Sequence, residues 1–106
     1  MRATYEDVYR LVKKIPRGKV TTYGAIARAL GVSPRFVAAA LRANPRPIEV
    51  PCHRVVMSDG SLGGYSFGGP DVKRRLLEAE GVRFDERGRV LKEHIIYNLH
   101  DIDKDL

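Results

Sequence analysis

Hydrophobic residues first recur at Tyr5, Val8, Leu11, Val12 and Ile15, a three-and-four spacing that puts them on one side of a helix. Thr4-x-x-Asp7 stands ahead of them as a capping box, the Thr4 hydroxyl serving the unpaired N–H groups of the first turn. An amphipathic helix over 5–14 is predicted, ended by Pro16 and Gly18. A short second helix follows from Tyr23 to Leu30, capped by Thr22 and closed by Gly31, which can take positive φ. Ser33-Pro34 supplies a cap and a first-turn proline for a third helix carrying Phe36, Val37, Ala40 and Leu41, which stops before Asn44-Pro45. Two short helices joined by a glycine-containing turn have the form of a helix-turn-helix; an ordinary helical hairpin has the same pattern.

Beyond Asn44 the pattern changes. Pro47 to Pro51 reads as an extended approach to Cys52. Val55-Val56-Met57, the turn Ser58-Asp59-Gly60-Ser61 and Leu62 onward predict a short hairpin, with Asp-Gly as the turn signal. Gly63-Gly64-Tyr65-Ser66-Phe67-Gly68-Gly69 is either a flexible connector or a backbone that must approach a ligand closely. Pro70-Asp71 open another helix with Val72, Leu76 and Leu77, ended by Gly81, and a second small hairpin is expected around Glu86-Arg87-Gly88. The apolar residues between His94 and Leu99 fit no element. The expected architecture is α+β and mostly α: a winged-helix-like helix-turn-helix domain with a short hairpin.

At 106 residues the chain is long enough for one modest core. Its charge divides the sequence in two. Residues 1–92 carry 18 basic and 9 acidic side chains, a net +9, whereas 93–106 carry Lys104 against Glu93, Asp101, Asp103 and Asp105, a net −3. A domain over 1–92 followed by an acidic C-terminal tail is the expected organisation. A body of that sign suits a polyanion, nucleic acid first, although charge alone also fits a merely solvated surface. A single cysteine excludes an internal disulfide framework and suits a reducing compartment. With no apolar run near the length of a membrane span and no signal-peptide pattern, a cytoplasmic location without membrane contact is expected.

The candidate chemistry lies in Pro51-Cys52-His53-Arg54-Val55. Thiolate is the nucleophilic form of cysteine, and an adjacent histidine and arginine are residue types that favour it. A lone cysteine is more commonly a small buried apolar residue, so the pair alone leaves both readings open. One cysteine with the scattered His53, His94 and His100 lacks the spacing of a structural zinc site, and no metal or cofactor is expected.

Six segments in order resemble the C-terminal domain of the O6-alkylguanine-DNA alkyltransferases, over residues 5–82. They are Gly18-Lys19-Val20-Thr21-Thr22-Tyr23-Gly24, Arg35-Phe36-Val37, Asn44-Pro45-x-Pro47, Pro51-Cys52-His53-Arg54-Val55, Gly63-Gly64-Tyr65-Ser66 and Leu76-Leu77-x-x-Glu80-Gly81. The resemblance implies direct reversal of DNA damage: an alkyl group moves from the O6 atom of an everted guanine to Cys52, once per protein molecule. It makes Cys52 the nucleophile, His53 its base through a water, and Glu80 the residue that orients the histidine. Tyr23 would protonate the departing guanine and rotate the target phosphate, and Asn44 would brace the turn behind Cys52. Arg35 would fill the space left by the base, with Thr22, Ser33 and Ala38 also on the DNA side. Read from the residues alone, a phosphate contact or a solvated helix position is favoured for Arg35, and Tyr23 could as easily be a core residue at a helix start. Cys52 and Val55 through their carbonyls, with Tyr65 and Ser66, would line the guanine site. The implied partner is double-stranded DNA containing O6-alkylguanine, met by a monomer.

Three departures from the family pattern bear on this reading. The residues begin at the DNA-binding domain, an arrangement shared with alkyltransferase-like proteins, which bind the lesion and flag it for another repair pathway. Those relatives generally replace the cysteine, which is intact here, so transfer is the expected activity and lesion binding the alternative. Phe67 is an extra residue beside Tyr65-Ser66 and is expected to reshape the pocket. Phe36-Val37-Ala38 stand where small residues are usual. The acidic tail is expected either to cover the contact surface of the missing N-terminal domain or to mediate contact with a repair-protein partner.

Overall fold

The computed structural model describes residues 3–99. Helix α1 (Tyr5–Val12) starts at the Thr4 box as expected, with the Thr4 N–H donating to the Asp7 carboxylate at 2.8 Å and the Asp7 N–H donating back to the Thr4 hydroxyl at 3.3 Å. Its end is two residues earlier than the periodicity predicts. Lys14 and Ile15 bond to Leu11 and Val12 carbonyls three residues back, tightening the last turn while still burying Ile15.

Strand β1 (Val20–Thr22) leads directly into α2 (Tyr23–Leu30), and Thr22 is both the last strand residue and the helix cap, its hydroxyl accepting from the Ala25 N–H at 3.0 Å. Gly31 takes φ +70°, the left-handed conformation that ends the helix. Ser33 caps α3 (Pro34–Arg42), accepting from the Phe36 N–H at 3.1 Å. Helices α2 and α3 meet at 110°, a helix-turn-helix crossing rather than a parallel hairpin. The residues after Arg35 pack well: Val37 is fully buried, and Phe36 meets Tyr5 edge-on at 5.2 Å.

The strands depart from the sequence reading. Val55–Val56 forms β2, but it pairs parallel with β1, Thr21 opposite Val55, instead of folding back on Leu62. The Asp59-Gly60 turn exists, with Met57 N–H bonding to the Ser61 carbonyl at 2.9 Å. Its Gly60 carbonyl, however, accepts from Val90, and the Leu62 carbonyl is taken by the buried Lys73, so no ladder returns along β2. The stretch before Leu99 supplies β3 (Ile95–Ile96), parallel to β1 on its other side, giving sheet order β2-β1-β3. Residues 93–99, read with the acidic tail, therefore belong to the fold, and Leu99 lies in the main core. Asp101, Asp103 and Asp105 lie outside the described residues.

Pro47 to Pro51 is not extended. It turns at Ile48, whose φ of +78° is unusual for a β-branched residue, and bridges Pro47 to Val50. Helix α4 (Gly69–Ala79) and a minimal antiparallel contact between Phe84 and Val90, around Glu86-Arg87-Gly88, follow the sequence reading. No single described helix is long and apolar enough to cross a membrane.

Two apolar clusters hold the chain together. The larger joins α1, α2 and α3 to Val50, Cys52, Val55 and Leu99; the smaller gathers Val20, Val56, Leu77, Val82 and Val90 between the sheet and α4. The Tyr9 hydroxyl ties α1 to α3 by donating to the Ala40 carbonyl at 2.6 Å.

Candidate active site

The approach to the cysteine is set at the end of α3. Asn44 is buried, its amide nitrogen donating to the Val50 carbonyl at 3.0 Å while its oxygen accepts from the Arg46 N–H at 3.0 Å. Both ends of the Ile48 turn are thus fastened to one side chain. The Cys52 N–H donates to the same Val50 carbonyl at 2.7 Å, so the start of the Cys52–Arg54 single-turn helix is fixed from Asn44.

Cys52 is only 5 % exposed and packs in the main core, yet it also forms part of a cleft of about 550 Å³. Helix α3 contributes Arg35, Ala38 and Arg42 to that cleft; Tyr23, Met57, Tyr65 and Ser66 supply the remaining walls. Burial pushes the Cys52 thiol up, and the Asn44 amide and the Lys73 charge pull it back only partly. The sulfur is a protonated thiol at rest.

The next two residues set an imidazole and its anchor beside it. His53 is 1 % exposed, and its Nε2 lies 2.8 Å from Glu80 Oε2. Burial lowers the imidazole and outweighs the support from Glu80, so the ring is neutral at physiological pH. Burial pushes Glu80 up, but hydrogen bonds from Arg54 and His53 outweigh it, and its carboxyl falls below the usual range. An ionised carboxylate can only accept, so Nε2 carries the proton and Nδ1 the lone pair. Nδ1 is buried and has no hydrogen-bond partner among the described residues. Arg54 bonds both oxygens of Glu80 at 2.9 Å and the Ile15 carbonyl at 2.8 Å, locking the carboxylate behind the histidine.

Tyr23, first residue of α2, is half-buried at the mouth of the cleft. Burial, then the neighbouring Cys52, raise its phenol, which keeps it a proton donor. Gly63 takes φ +70° and lies against this ring: a methyl group there would be 3.3 Å from Met57 Sδ and 3.6 Å from Tyr23 Cε2. The glycine-rich stretch is therefore packed closely at Gly63, while Gly64 beside it faces open space. Tyr65 meets His53 edge-on at 6.5 Å and Phe67 at 5.6 Å; Phe67 supports Tyr65 from behind and does not line the cleft.

Of the residues read from sequence, the fold brings Cys52, Tyr23, Arg35, Ala38, Tyr65 and Ser66 to one cleft and stacks His53 and Glu80 behind it. Thr22 and Ser33 have their hydroxyls committed to capping and do not line the cleft. Val55 buries its side chain in β2, and its N–H already bonds the Cys52 carbonyl. Sequence reasoning missed Met57, Leu41, Arg42 and Lys73. Lys73 left a signal: it stands three and four positions before Leu76 and Leu77, on the apolar side of α4. The basic side also has a plain sequence origin, because nine basic and no acidic residues lie between Asp7 and Glu49. Among the described residues no cluster of histidine, cysteine or carboxylate side chains is placed to hold a metal.

A helix-turn-helix whose second helix opens onto a cysteine backed by histidine and glutamate has the form of a DNA-binding domain with a cysteine set into its cleft. Residues 3–82 match the family described as 6-O-methylguanine DNA methyltransferase, DNA binding domain, and the chain belongs to that family. A methylated-DNA–protein-cysteine methyltransferase of Methanothermobacter thermautotrophicus is 51 % identical over 78 residues, covering 74 % of this chain and 44 % of the relative. The O6-methylguanine-DNA methyltransferase structure from Pyrococcus kodakaraensis superposes with TM-score 0.68 at 52 % identity, over 74 % of this chain and 46 % of that one. Atl1 of S. pombe, solved with damaged DNA containing O6-carboxymethylguanine, gives TM-score 0.74 at 34 % identity, over 91 % of this chain and 98 % of that one. The chain spans about half the length of the curated methyltransferases it matches.

Proposed function

We propose that this chain repairs alkylated guanine in DNA by transferring the alkyl group to Cys52 in a single turnover. The observation that carries the reading is the placement of Cys52: it lies in a cleft walled by the recognition helix, with a neutral, carboxylate-anchored histidine adjacent in sequence. Helix α3 docks on duplex DNA, and the damaged base turns out of the stack, at a cost of a few kcal/mol that is smallest for a mispaired base. Arg35, exposed on the first turn of α3, occupies the vacated stack.

The chemistry balances on the residues present. His53 Nδ1 takes the thiol proton through a water, and Glu80 with Arg54 stabilises the imidazolium. Sγ attacks the alkyl carbon, forming a C–S bond as the C–O6 bond breaks and its electron pair passes into the guanine. Tyr23 donates a proton to the guanine ring and regains one from solvent. The thioether is not cleaved by cellular thiols, so the protein is consumed, and its single cysteine fits work in a reducing cytoplasm.

Mass spectrometry after incubation with a duplex oligonucleotide bearing one O6-methylguanine should find one added methyl on the peptide containing Cys52. An unmodified peptide alongside a bound lesion would instead favour lesion binding without transfer, a second reading supported by the likeness to Atl1 over nearly all of that chain. In that case Cys52→Ala would bind the lesion as tightly as the unaltered chain.

A further inference from the structure

Tyr23 and Met57 both line the cleft, and the residues that follow them, Gly24 and Ser58, meet at its rim. A methyl group at Gly24 would lie 3.6 Å from the Ser58 hydroxyl and 3.5 Å from Arg28 Nη1. Arg28 stands one helical turn beyond Gly24 on α2, so its guanidinium lies back over the glycine, at the edge where Ser58 stands. Tyr97 closes the group: its hydroxyl donates to the Ser58 carbonyl at 3.4 Å, and its own carbonyl accepts from Arg28 Nη2 at 3.5 Å.

The fold alone gives Arg28 little reason to be there. It belongs to the last turn of α2, where open carbonyls favour a cation, yet it reaches toward the opposite end, which disfavours one. It is exposed and meets no carboxylate among the described residues. Asp59, next to Ser58 in sequence, turns its Oδ1 to the Ser61 N–H at 2.9 Å and the Ser61 hydroxyl at 2.6 Å. Both bonds that join Arg28, Tyr97 and Ser58 are at the long limit, so guanidinium and phenol retain donors for another acceptor. On the rim of a DNA-binding cleft, the acceptor that fits these donors is a backbone phosphate. We propose that Arg28 and Tyr97 seat a phosphate of the strand carrying the everted base, a hold on the α2 side of the cleft that complements α3. Tyr97 lies beyond residue 82, outside the part that matches the family, and the pairing of β3 with β1 brings it to Ser58. This rests on the DNA docking in the reading above and adds a contact to it.

The test uses Arg28→Ala, Arg28→Lys and Tyr97→Phe in the full chain. Arg10→Ala serves as the loss of one charge on α1, where Arg10 is paired with Asp7. Fluorescence anisotropy reads affinity at several salt concentrations for a duplex bearing one O6-methylguanine and for the same duplex undamaged. Arg28→Ala should bind both about tenfold more weakly at low salt, the size expected of one charged hydrogen bond. Its slope of log affinity on log salt should fall by about one. Arg28→Lys should keep the slope and lose part of the affinity, because an ammonium cannot fork onto two phosphate oxygens. Tyr97→Phe should weaken binding with the slope unchanged, since a phenol displaces no counterion. Arg10→Ala should change neither quantity; a fall equal to that of Arg28→Ala would make the effect one of net charge and overturn the proposal. Single methylphosphonates stepped along the lesion strand then locate the phosphate. One position should weaken the unaltered chain and make no further difference to Arg28→Ala. The absence of any such position, or an unmoved slope in Arg28→Ala, overturns the proposal and leaves the repair reading standing. An unaltered chain that binds neither duplex overturns both.

Discussion

Arg54 grips Glu80 with two parallel hydrogen bonds, Nε to Oε1 and Nη2 to Oε2, each 2.9 Å long. A fork against a carboxylate fixes orientation as well as charge. Because Oε2 also faces His53 Nε2 at 2.8 Å, one carboxylate sets the tautomer of the histidine and neutralises the arginine. Replacing Glu80 by Gln removes both effects. Transfer should fall about 10²-fold, the loss expected when a general base is misdirected. Urea unfolding should show a loss of about 3 kcal/mol, since the largely buried Arg54 is left without its anion. Unchanged stability would mean that Arg54 finds water instead.

The same group governs acid stability. Glu80 is depressed in the folded protein, so its contribution is present above the ordinary carboxylate value of 4.5 and is lost as pH falls through the lowered one. His53 is also depressed: its contribution is complete above 6.5 and declines as pH falls toward the lowered value. Unfolding free energy should therefore decrease in two stages on acidification from pH 7. In His53→Gln the upper stage should disappear, which denaturant titrations at several pH values will reveal.

Tyr23→Phe and Arg35→Ala separate chemistry from base extrusion. The first removes a proton donor and should slow transfer about 10²-fold on the free alkylated base, and by at least as much on duplex, where the same hydroxyl would also meet the target phosphate. The second should slow duplex repair about tenfold and leave the free base unaffected, because only the duplex requires unstacking. Equal effects on both substrates in Arg35→Ala would remove it from the extrusion step.

Ile48 holds φ +78° while 61 % of its surface is exposed, so it stores backbone strain with little burial in return. Ile48→Gly should stabilise the chain by about 1 kcal/mol, the strain relieved exceeding the entropy of a glycine. Differential scanning calorimetry should place Tm about 4–8 °C higher.

Cys52 belongs to the same apolar cluster as Val37, Ala40 and Leu41. Adding an alkyl group there is overpacking, expected to cost about 1–3 kcal/mol. The methylated protein should melt below the free protein, and a bulkier adduct lower still. Equal melting temperatures would indicate that the adduct points wholly into the open cleft.

Local instructions were the readable part of the chain. Thr4, Thr22 and Ser33 act on N–H groups within three residues of themselves, so the three helix starts follow from neighbouring side chains. The sheet was hidden for the opposite reason. Its outer strands are two residues each, too short to display an alternating pattern, and they join positions 20–22, 55–56 and 95–96. The Asp59-Gly60 turn was legible as a turn, but its partner, Val90, lies thirty positions on. Cys52 and His53 were visible as neighbours. Glu80 entered through family resemblance alone, because a glutamate near a helix end is ordinarily solvated. Lys73 was passed over because a charge on a helix is normally read as surface, and its burial depends on where the loop carbonyls fall.

Strand β1 receives one neighbour from just beyond Cys52 and the other from Ile95–Ile96, and its last residue caps the helix that begins with Tyr23. Thr22 is thus shared between sheet and helix, so the register of β2 and β3 on β1 also fixes where Tyr23 starts its helix.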